Sequence, residues 1–425
     1  MPMKKKIVIL ASGTRGDVQP YLALGLGLQA AGYRVSVATH AAFRPLVEGR
    51  GLPFLPVEGN PSELMAAPGG QSALTFDGSW LRSIRGSLSF LRAARPLYPR
   101  MLESAWQACQ GAEALVIGLA TTWGAHIAEA LDLPCLWCFL QPISRTRLYP
   151  SALLPARFSL GGAYNALTHR LVEQAMWLPW RSEINRWRKR ALHLPPISLA
   201  SPYSQLYTDP ASVLYAFSRR VAPAAVDWPA YHRVTGYWFL DETPGWIPPA
   251  ELVHFVEAGT PPVYIGFGSP GTRQPLRMLD IICQALDMAG LRAVLALPPE
   301  MLAGRTLPAN IFLAADIPHA WLFPRLSAVV HHGGAGTTAA GLRAGLPAIV
   351  TPLAVDQFFW GEHLTALGVA PPPLPQRLLT ADKLGEALQQ VLSDAAMQAR
   401  ARVLGETIRQ EDGVGVAIEI IRAQV

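Results

Sequence analysis

The sequence predicts an α/β protein made of two domains, each with a doubly wound parallel sheet. Two series of strand–helix–strand units occur, one on each side of about residue 240, and such units require parallel strands. In each series an apolar strand, near residues 7–11 and 261–267, runs into a Gly-rich turn. The stretch 236–250 between the two series is dense in Pro and turn residues, which is typical of a linker.

The length of 425 residues also favours more than one domain. We expect an N-terminal Rossmann-like domain over residues 1–235, a linker over 236–250 and a C-terminal Rossmann-like domain over 251–405. The remaining residues, 406–425, form a helical segment that could pack back on the first domain. Ligands of such folds bind beyond the carboxyl ends of the strands, so two facing domains predict a ligand in the cleft between them.

The elements of the first domain follow from periodicity and turn chemistry. Residues 7–11 form an apolar strand, 12–20 a loop, 21–32 a helix that stops at Gly32, and 33–40 an alternating β-branched strand. Two further strands are expected at 114–119 and 134–140, with a helix between them. The less regular stretches 60–105 and 142–205 are interpreted as insertions around the site.

The second domain repeats the pattern. The strand ending near Gly266 is followed by a helix over 275–290 and a strand over 291–297. A later strand enters the Gly-rich turn after residue 332, and a helix and another strand follow it. This arrangement predicts a second parallel sheet with its turns at one edge.

Composition excludes several classes of protein. Half of the residues are hydrophobic and 16% are charged, which excludes a wholly disordered chain, and four cysteines exclude a disulfide scaffold. The longest apolar runs are too short to span a membrane. The basic start is followed by about five apolar residues, fewer than a secretory signal needs, so we interpret it as the first strand and expect a cytoplasmic protein.

The net charge of +6 is unevenly distributed, with about +11 in residues 1–240 and −5 in residues 241–425. Trp and Arg are concentrated at 80–100 and 177–190. The simplest explanation is a solvated helix face whose Trp side chains lie in the core. Peripheral contact with an anionic membrane, at its inner face, stays open. No nucleic-acid-binding motif supports a nucleic-acid partner.

The strongest motif is HHGGAGTT at 331–338, between an apolar strand and a helix with small residues. Free backbone N–H groups and the dipole at a helix start favour an anion, and glycines let a diphosphate approach the backbone closely. His332 and Thr337 can donate hydrogen bonds to phosphate oxygens. The spacing differs from the usual nucleoside-triphosphate and dinucleotide loops.

Two weaker motifs accompany it. Gly266-Phe267-Gly268-Ser269 ends a strand and is positioned like a second phosphate or sugar contact. Asp356 and Gln357 place a carboxylate beside an amide, which together offer acceptors and donors to vicinal sugar hydroxyls.

The loop Gly13-Thr14-Arg15-Gly16-Asp17 joins the first strand to its helix. Asp17 could be a helix cap, or it could remove a proton from an alcohol. The sequence contains no D-x-D motif, so a metal-bridged diphosphate is not indicated, and no metal or bound cofactor is expected. His40, His126, His169 and His193 are scattered and receive no role.

These motifs resemble those of family 1 glycosyltransferases with the GT-B fold. The resemblance spans about residues 6–425 and rests on SGTRGDVQPYLALGLGL and on the long stretch from VVHHGGAGTT to FFWG. ADIPHAWLFP, RVTGYWFLDE and WCFLQPISRTRLYPS are similar to the sterol 3-beta-glucosyltransferase branch. Related antibiotic glycosyltransferases share the two Gly-rich motifs and usually differ around 235–241.

The resemblance implies a role for each matching residue. Asp17 would be the catalytic base, beside an acceptor loop at Gly13–Gly16. The residues implied on the donor side are His332 at the diphosphate, Gly334, Gly336 and Thr337 in the phosphate turn, Ser269 near the phosphates, Asp356 and Gln357 at the sugar, and Ile317 and His319 at the nucleobase. Plant-type relatives use a His–Asp dyad, but here the first loop has no His, and Gly118 and Leu119 lie near the place of the Asp.

The expected activity is an inverting, metal-independent transfer of a hexosyl group from a nucleotide sugar, UDP-glucose above all, to a hydroxyl of an apolar acceptor such as a sterol. Tryptophans in the N-terminal half suit such an acceptor. Two alternatives stay open. One is a natural-product transferase that uses a TDP-deoxysugar, and the other is a sugar-nucleotide epimerase or binding protein.

Overall fold

The structure is a computed structural model of the chain. It describes residues 5–59, 90–154, 159–199, 202–208, 213–240, 245–267, 275–302, 304–314 and 317–425. These residues form two compact units. The first comprises described residues up to Leu240 together with Asp412–Val425, and the second comprises described residues from 245 to Glu411.

The first unit is built on a seven-stranded sheet in which all neighbouring strands are parallel. Its strand order is β3-β2-β1-β4-β5-β6-β7. The interior strands are almost continuous apolar runs because both of their faces are covered by other elements. The strands are β1 Lys6–Leu10, β2 Arg34–Thr39, β3 Phe54–Pro56, β4 Ala114–Ile117, β5 Cys135–Phe139, β6 Val213–Tyr215 and β7 His232–Val234.

Helices lie in most of the connections between the strands of this sheet, whereas the connection from β6 to β7, residues 216–231, has none. The reversal of strand order between β1 and β4 puts the loops after these two strands side by side at the carboxyl edge of the sheet. The helices before the second unit are α1 Arg15–Ala30, α2 Arg44–Glu48, α3 Tyr98–Ala108, α4 Gly124–Leu131, α5 Gly162–Trp177, α6 Arg181–Arg190 and α7 Gln205–Thr208.

The second unit has a five-stranded parallel sheet with the order β10-β9-β8-β11-β12. Apolar side chains of this sheet and of its helices form one core cluster. The strands are β8 Val263–Gly266, β9 Ala293–Ala296, β10 Ile311–Leu313, β11 Ala328–His331 and β12 Ala348–Val350. The helices are α8 Ala250–Glu257, α9 Pro275–Ala289, α10 His319–Leu322, α11 Ala335–Arg343, α12 Gln357–Ala366, α13 Ala381–Ser393 and α14 Ala395–Arg409.

The last helix, α15 Gly413–Arg422, belongs to the first unit. It packs against α1, where a side chain at Gly27 would meet Val414 and Ile418. The indole N–H of Trp238 also donates a hydrogen bond of 3.1 Å to the carbonyl oxygen of Gly413. The structure divides the chain after Leu240 and after Glu411, a few residues beyond the expected boundaries at 235 and 405.

The first helix begins earlier than the sequence predicted. It starts at Arg15 rather than near residue 21, and it contains Pro20. The Gly, Asp and Pro residues that indicated a loop lie in the first two turns, where a capping carboxylate is favourable and some N–H groups lack an intrahelical acceptor. Asp17 is therefore inside the first turn. None of the helices in the described ranges is both long enough and apolar enough to cross a membrane.

Candidate functional site

The carboxyl ends of three neighbouring strands of the second unit meet at one edge of its sheet. The register pairs His331 of β11 with Gly266 of β8 on one side and with Val350 of β12 on the other. The loops that carry the HHGG motif, the Gly-rich turn after β8 and the Asp356-Gln357 pair therefore start side by side. This is the edge where ligands of doubly wound sheets bind.

The HHGG turn has little room for side chains. Gly333 has a φ of +92°, and a Cβ there would lie 2.8 Å from the carbonyl oxygen of Gln357. A Cβ at Gly334 would meet the Nε2 atom of His332. Glycines at both positions thus bring the turn against the Asp356-Gln357 loop and leave the start of α11 open, since Gly334 is the residue before that helix.

Polar atoms without a partner collect around this helix start. Within the described ranges, His331 Nε2, His332 Nδ1 and Thr338 Oγ1 are buried and have no hydrogen-bond partner. Such atoms are costly unless a ligand or water satisfies them. The backbone N–H groups of the first helical turn also lack intrahelical acceptors. Together they can bind an anion such as a phosphate group.

Both imidazoles are held in the neutral form. Burial, with smaller contributions from His332 and His319, lowers the pKa of His331 to about 3. Burial lowers the pKa of His332 to about 4, an effect that the Gly266 backbone partly offsets. The Gly333 N–H donates to His331 Nδ1 at 3.0 Å, so the hydrogen of the neutral His331 ring lies on Nε2.

The Asp356-Gln357 pair is fixed by its own loop. Gln357 Oε1 accepts hydrogen bonds from the N–H groups of Leu353 and Ala354, at 2.7 and 3.1 Å. Asp356 Oδ2 accepts one of 3.0 Å from the Trp360 indole. Val355 has a φ of +51°, which is rare for a β-branched residue and is the kind of strain found at functional sites. The amide group of Gln357 remains available to donate to a ligand.

The sequence also predicts His319, Ile317 and Ser269 as contacts of the nucleotide sugar. His319 starts α10, stacks on Phe323 with ring centroids 4.3 Å apart, and has its Nε2 3.4 Å from the Tyr264 hydroxyl on β8. Ile317 lies two residues earlier and is partly buried. Ser269 lies outside the described residues. No group of three or more His, Cys, Asp or Glu side chains suited to a metal ion was found within the described ranges.

The first unit holds the other candidate residues in the loop between β1 and α1. Gly13 has a φ of +126°, Thr14 precedes the helix, and Arg15, Gly16 and Asp17 are its first three residues. Asp17 Oδ2 accepts hydrogen bonds from the N–H and the hydroxyl of Thr14, at 2.7 and 2.8 Å. This contact is half of a capping box, so Asp17 does stabilise the helix start.

Burial gives Asp17 a second property. Loss of hydration raises the pKa of the Asp17 carboxyl group above 3.8, although the two Thr14 hydrogen bonds counteract the effect. Asp17 lines a small pocket of about 20 Å³ together with Ser12, Tyr21, Gly118 and Gln141. This volume suits one water molecule or one hydroxyl group.

The polar groups of this small pocket are hydrogen-bond acceptors. Gln141 Oε1 is buried with no partner in the described part of the chain, and the Tyr21 hydroxyl donates its hydrogen to the carbonyl oxygen of Cys138 at 2.6 Å. His40 Nδ1 lies 3.1 Å from the carbonyl oxygen of Val57, which can only accept, so Nδ1 carries the hydrogen of the neutral ring. His40 Nε2 then accepts a hydrogen bond of 2.7 Å from the hydroxyl group of Ser12. A group that donates a hydrogen bond, such as an alcohol O–H, would satisfy the pocket.

A large apolar cavity lies next to the small pocket. Its volume is about 320 Å³, within the range of cavities that hold small ligands. Ser12, Leu119 and Ala120 line both spaces. The aromatic lining of the large cavity includes Phe90, Tyr98, Trp123, Trp137, Trp177 and Trp180.

Three residues of this region were missed by sequence reasoning. Gln141 has no distinguishing spacing, His40 acts through Ser12, and His126 lines the large cavity. Gln141 and His40 lie within two residues of the carboxyl end of a strand, which is the signal that could have found them, whereas His126 lies nine residues beyond β4, inside α4. His169 instead bonds the Tyr149 backbone, with Nε2 3.2 Å from that carbonyl oxygen.

The Trp/Arg segments differ from a membrane-facing arrangement of indole rings. Trp177 and Trp187 are buried, and Trp180 stacks on Tyr98 with ring centroids 4.2 Å apart. The part of the 80–100 segment before residue 90 lies outside the described residues. The simplest explanation, tryptophan in the core beneath a charged helix face, therefore describes residues 177–190.

Two family models match the chain. Residues 7–150 match the Glycosyltransferase family 28 N-terminal domain. Residues 290–417 match the C-terminal domain of the Erythromycin biosynthesis protein CIII-like family. The second match lies in the second unit except for its last residues, 412–417, which belong to the first unit.

Curated relatives carry the name sterol 3-beta-glucosyltransferase. The protein of Emericella nidulans is 38% identical over 432 residues, which cover 98% of this chain and 30% of the relative. The protein of Cryptococcus neoformans is 38% identical over 446 residues, covering 99% of this chain and 27% of the relative. The chain thus spans less than a third of the length of these relatives.

Solved structures show the same fold at low sequence identity. The glycotransferase of kitacinnamycin aligns with a TM-score of 0.71 at 20% identity and covers 100% of both chains. The calicheamicin glycosyltransferase CalG4 aligns with a TM-score of 0.66 at 19% identity, covering 99% of this chain and 98% of the other. The glycosyltransferase VinC, solved with DTDP, aligns with a TM-score of 0.65 at 17% identity over 99% of both chains.

Proposed function

Because the chain belongs by sequence and by fold to the GT-B glycosyltransferases, we propose that it transfers a hexosyl group from a nucleotide sugar to a hydroxyl of an apolar acceptor. The first unit would bind the acceptor and the second the donor. A sterol or a similar lipid alcohol is the proposed acceptor, in line with the names of the relatives at 38% identity.

The observation that carries the proposal is the pairing of two spaces in the first unit. An apolar cavity of about 320 Å³ shares Ser12, Leu119 and Ala120 with a pocket the size of one hydroxyl group. The cavity suits an apolar ring system, and the acceptors of the small pocket suit an alcohol O–H. An apolar alcohol would satisfy both spaces at once.

Asp17 is the proposed general base. Its raised pKa makes the carboxylate a stronger proton acceptor than an exposed aspartate. The acceptor hydroxyl would give its proton to Asp17 while its oxygen forms a bond to the anomeric carbon of the sugar. The bond from that carbon to the diphosphate breaks in the same step, and the configuration at the carbon inverts. Gln141 Oε1 would help to orient the hydroxyl.

The leaving diphosphate would be stabilised at the start of α11. The backbone N–H groups at residues 335–337, the neutral His332 ring and the Thr338 hydroxyl can all donate to its oxygens. We propose that these donors suffice without a metal ion. Gly334, Gly336 and Thr337 would form the phosphate turn, with Ser269 near the phosphates.

UDP-glucose is the proposed donor. The Gln357 amide and the Asp356 carboxylate suit a sugar with its hydroxyl groups present, and the backbone around Ile317 and His319 would contact the base. The runner-up is a natural-product transferase that uses a TDP-deoxysugar, since neighbours in fold were solved with thymidine diphosphate or DTDP.

The experiment that tests the activity is nucleotide release from UDP-glucose, measured with and without an added sterol or other lipid alcohol, with TDP-glucose as a second donor. We expect release that depends on the alcohol and a glycoside product that mass spectrometry detects. Interconversion of the sugar without an acceptor would instead indicate an epimerase. The apolar cavity argues against an epimerase, because an epimerase needs no acceptor site.

A membrane surface is proposed as a partner of the first unit. Leu167, Leu171 and Leu178 are each at least half exposed, and their spacing of 4 and 7 residues puts them on one face of α5 and its last turn. Leu160, which precedes the helix, is 70% exposed. The charged side chains exposed between residues 159 and 191 are all cations: Arg170, Arg186, Lys189 and Arg190.

The acidic residues of this region are withdrawn from the surface. Glu173 pairs with Arg145, with Nε 2.9 Å from Oε1, and Glu183 pairs with Arg95 at 2.7 Å. Both carboxylates are buried. The exposed leucines and cations therefore match the apolar boundary and the charge of an anionic lipid surface, with leucine rather than tryptophan as the inserted group.

A further inference from the structure

An ion pair between a buried arginine, Arg188, and the more exposed Glu129 lies behind one wall of the apolar cavity. Arg188 of α6 is 2% exposed and donates to both carboxylate oxygens of Glu129, at 2.6 and 2.9 Å, and to the carbonyl oxygen of Pro195 at 2.8 Å. The same guanidinium group reaches His126 of α4, with Nη1 3.1 Å from Nδ1. His126 lines the cavity beside Trp177.

This contact fixes the protonation of the imidazole. A guanidinium group can only donate hydrogen bonds, so Nδ1 of His126 must be the acceptor and carry no hydrogen. The ring is then neutral with its hydrogen on Nε2. Burial and the charge of Arg188 lower the pKa of His126 to about 4, which agrees with a neutral ring at physiological pH.

The Nε2–H group of His126 has no hydrogen-bond partner among the described residues. The Nε2 atom is not fully covered by neighbouring atoms of the described residues. It therefore keeps some accessible surface, although His126 as a whole is only 4% exposed. Because His126 lines the cavity, this surface offers one fixed donor to a ligand there.

We propose that the Nε2–H group of His126 donates a hydrogen bond to a second oxygen atom of the acceptor, separate from the hydroxyl that receives the sugar. This inference rests on the proposed function and narrows its substrate class. The preferred ligand is an apolar alcohol whose ring system also carries a ketone, ester, ether or hydroxyl oxygen. A ligand with only hydrocarbon at this wall would cover the N–H without satisfying it, which is costly in an apolar site.

Two steroids that differ in one oxygen provide the test: 3β-hydroxy-5α-androstan-17-one and 5α-androstan-3β-ol. Their affinities for the full chain can be measured by quenching of tryptophan fluorescence, since four tryptophans line the cavity. We expect the ketone to bind about tenfold more tightly, the size of one hydrogen bond in an apolar site. Equal affinities, or a preference for the deoxy steroid, would overturn the proposal.

Two variants separate recognition from structure. In His126→Asn the side-chain oxygen can replace Nδ1 at Arg188, but no donor replaces Nε2. In His126→Gln the amide nitrogen can replace Nε2. We expect the Asn variant to lose the preference for the ketone over 5α-androstan-3β-ol, and the Gln variant to keep part of that preference. An Asn variant that prefers the ketone as strongly as the wild type does would contradict the proposal. If neither steroid binds the wild type, the proposed acceptor cavity itself is contradicted.

Discussion

The hydroxyl group of Tyr21 occupies the space that a side chain at Gly118 would need. The hydroxyl is held there by its 2.6 Å hydrogen bond to the carbonyl oxygen of Cys138. Gly118 lies near the place where plant-type relatives are expected to carry the Asp of their His–Asp dyad. The ring and hydroxyl group of Tyr21, from α1, therefore leave no room for a side chain at residue 118 of this chain.

Substituting Gly118→Ala should destabilise the first unit. The new methyl group meets the Tyr21 ring and hydroxyl, and overpacking of this kind typically costs about 1–3 kcal/mol. Urea denaturation followed by tryptophan fluorescence measures the loss. The same substitution in a Tyr21→Phe background should cost less, because the hydroxyl oxygen is gone. Equal costs in both backgrounds would show that the two residues do not interact.

Asp17→Asn should reduce turnover by about 10²–10⁴-fold if Asp17 is the general base, while UDP binding stays nearly unchanged. The amide oxygen can still accept from Thr14, so the helix start should persist. Asp412→Asn is a matched control, since that carboxylate caps α15 of the same unit through the Gly415 N–H and lines neither pocket. Steady-state kinetics with UDP-glucose and a sterol decide the matter, and full activity of the Asp17 variant refutes the role.

His332→Ala should weaken UDP binding by about 10–100-fold, the loss of one hydrogen bond to a charged group. Isothermal titration calorimetry of the full chain with UDP measures it directly. His254→Ala is the control, because His254 is an exposed histidine on α8 of the same unit. Unchanged UDP affinity in the His332 variant would remove this residue from the phosphate site.

Stability should depend on pH through His331. Its pKa in the folded state, about 3, lies below the value of about 6.5 in an unfolded chain, so the unfolded state binds more protons as the pH falls. The contribution of this ring is complete above pH 6.5, and about 2 kcal/mol of it is lost between pH 6.5 and 5. His331→Asn, whose oxygen can still accept from the Gly333 N–H, should lose correspondingly less over that interval in urea titrations. Parallel titration curves for the two proteins would argue against this account.

Binding to anionic vesicles should depend on the leucine face of α5. We expect the double variant Leu167→Asp, Leu171→Asp to lose co-sedimentation with phosphatidylserine vesicles at low salt, because both side chains are about half exposed and would insert. A control with Val403→Asp changes an exposed apolar residue of the second unit. Wild-type chain that fails to sediment at low salt would end the membrane proposal.

The architecture was largely accessible from the sequence, and some local boundaries were not. Apolar runs such as residues 114–117 and 328–331 could be recognised as strands because a parallel sheet buries both faces. The three-residue strands Val213–Tyr215 and His232–Val234 lie in irregular sequence and take their form from pairing with β5 and with each other. The start of α1 was placed late because its Gly, Asp and Pro residues also suit a loop.

For the candidate site, motif and geometry carry different information. The HHGG turn could be recognised because glycine, histidine and threonine at a helix start have few other uses. The acceptor side depends on residues far apart in sequence, such as Asp17 and Gln141, which only the order of β1, β4 and β5 brings to one pocket. Tautomers such as that of His126 depend on a partner 62 residues away, which no local pattern indicates.

The return of helix α15 to α1 has a consequence for folding. Residues 412–425 are synthesised after residues 245–411, yet they cover Gly27 of α1 and accept the Trp238 hydrogen bond through Gly413. The first unit therefore cannot complete its packing until the second unit has been synthesised, whereas residues 245–411 already contain the strands β8 to β12 of their own sheet. During synthesis the second unit can form its sheet before the first unit acquires α15.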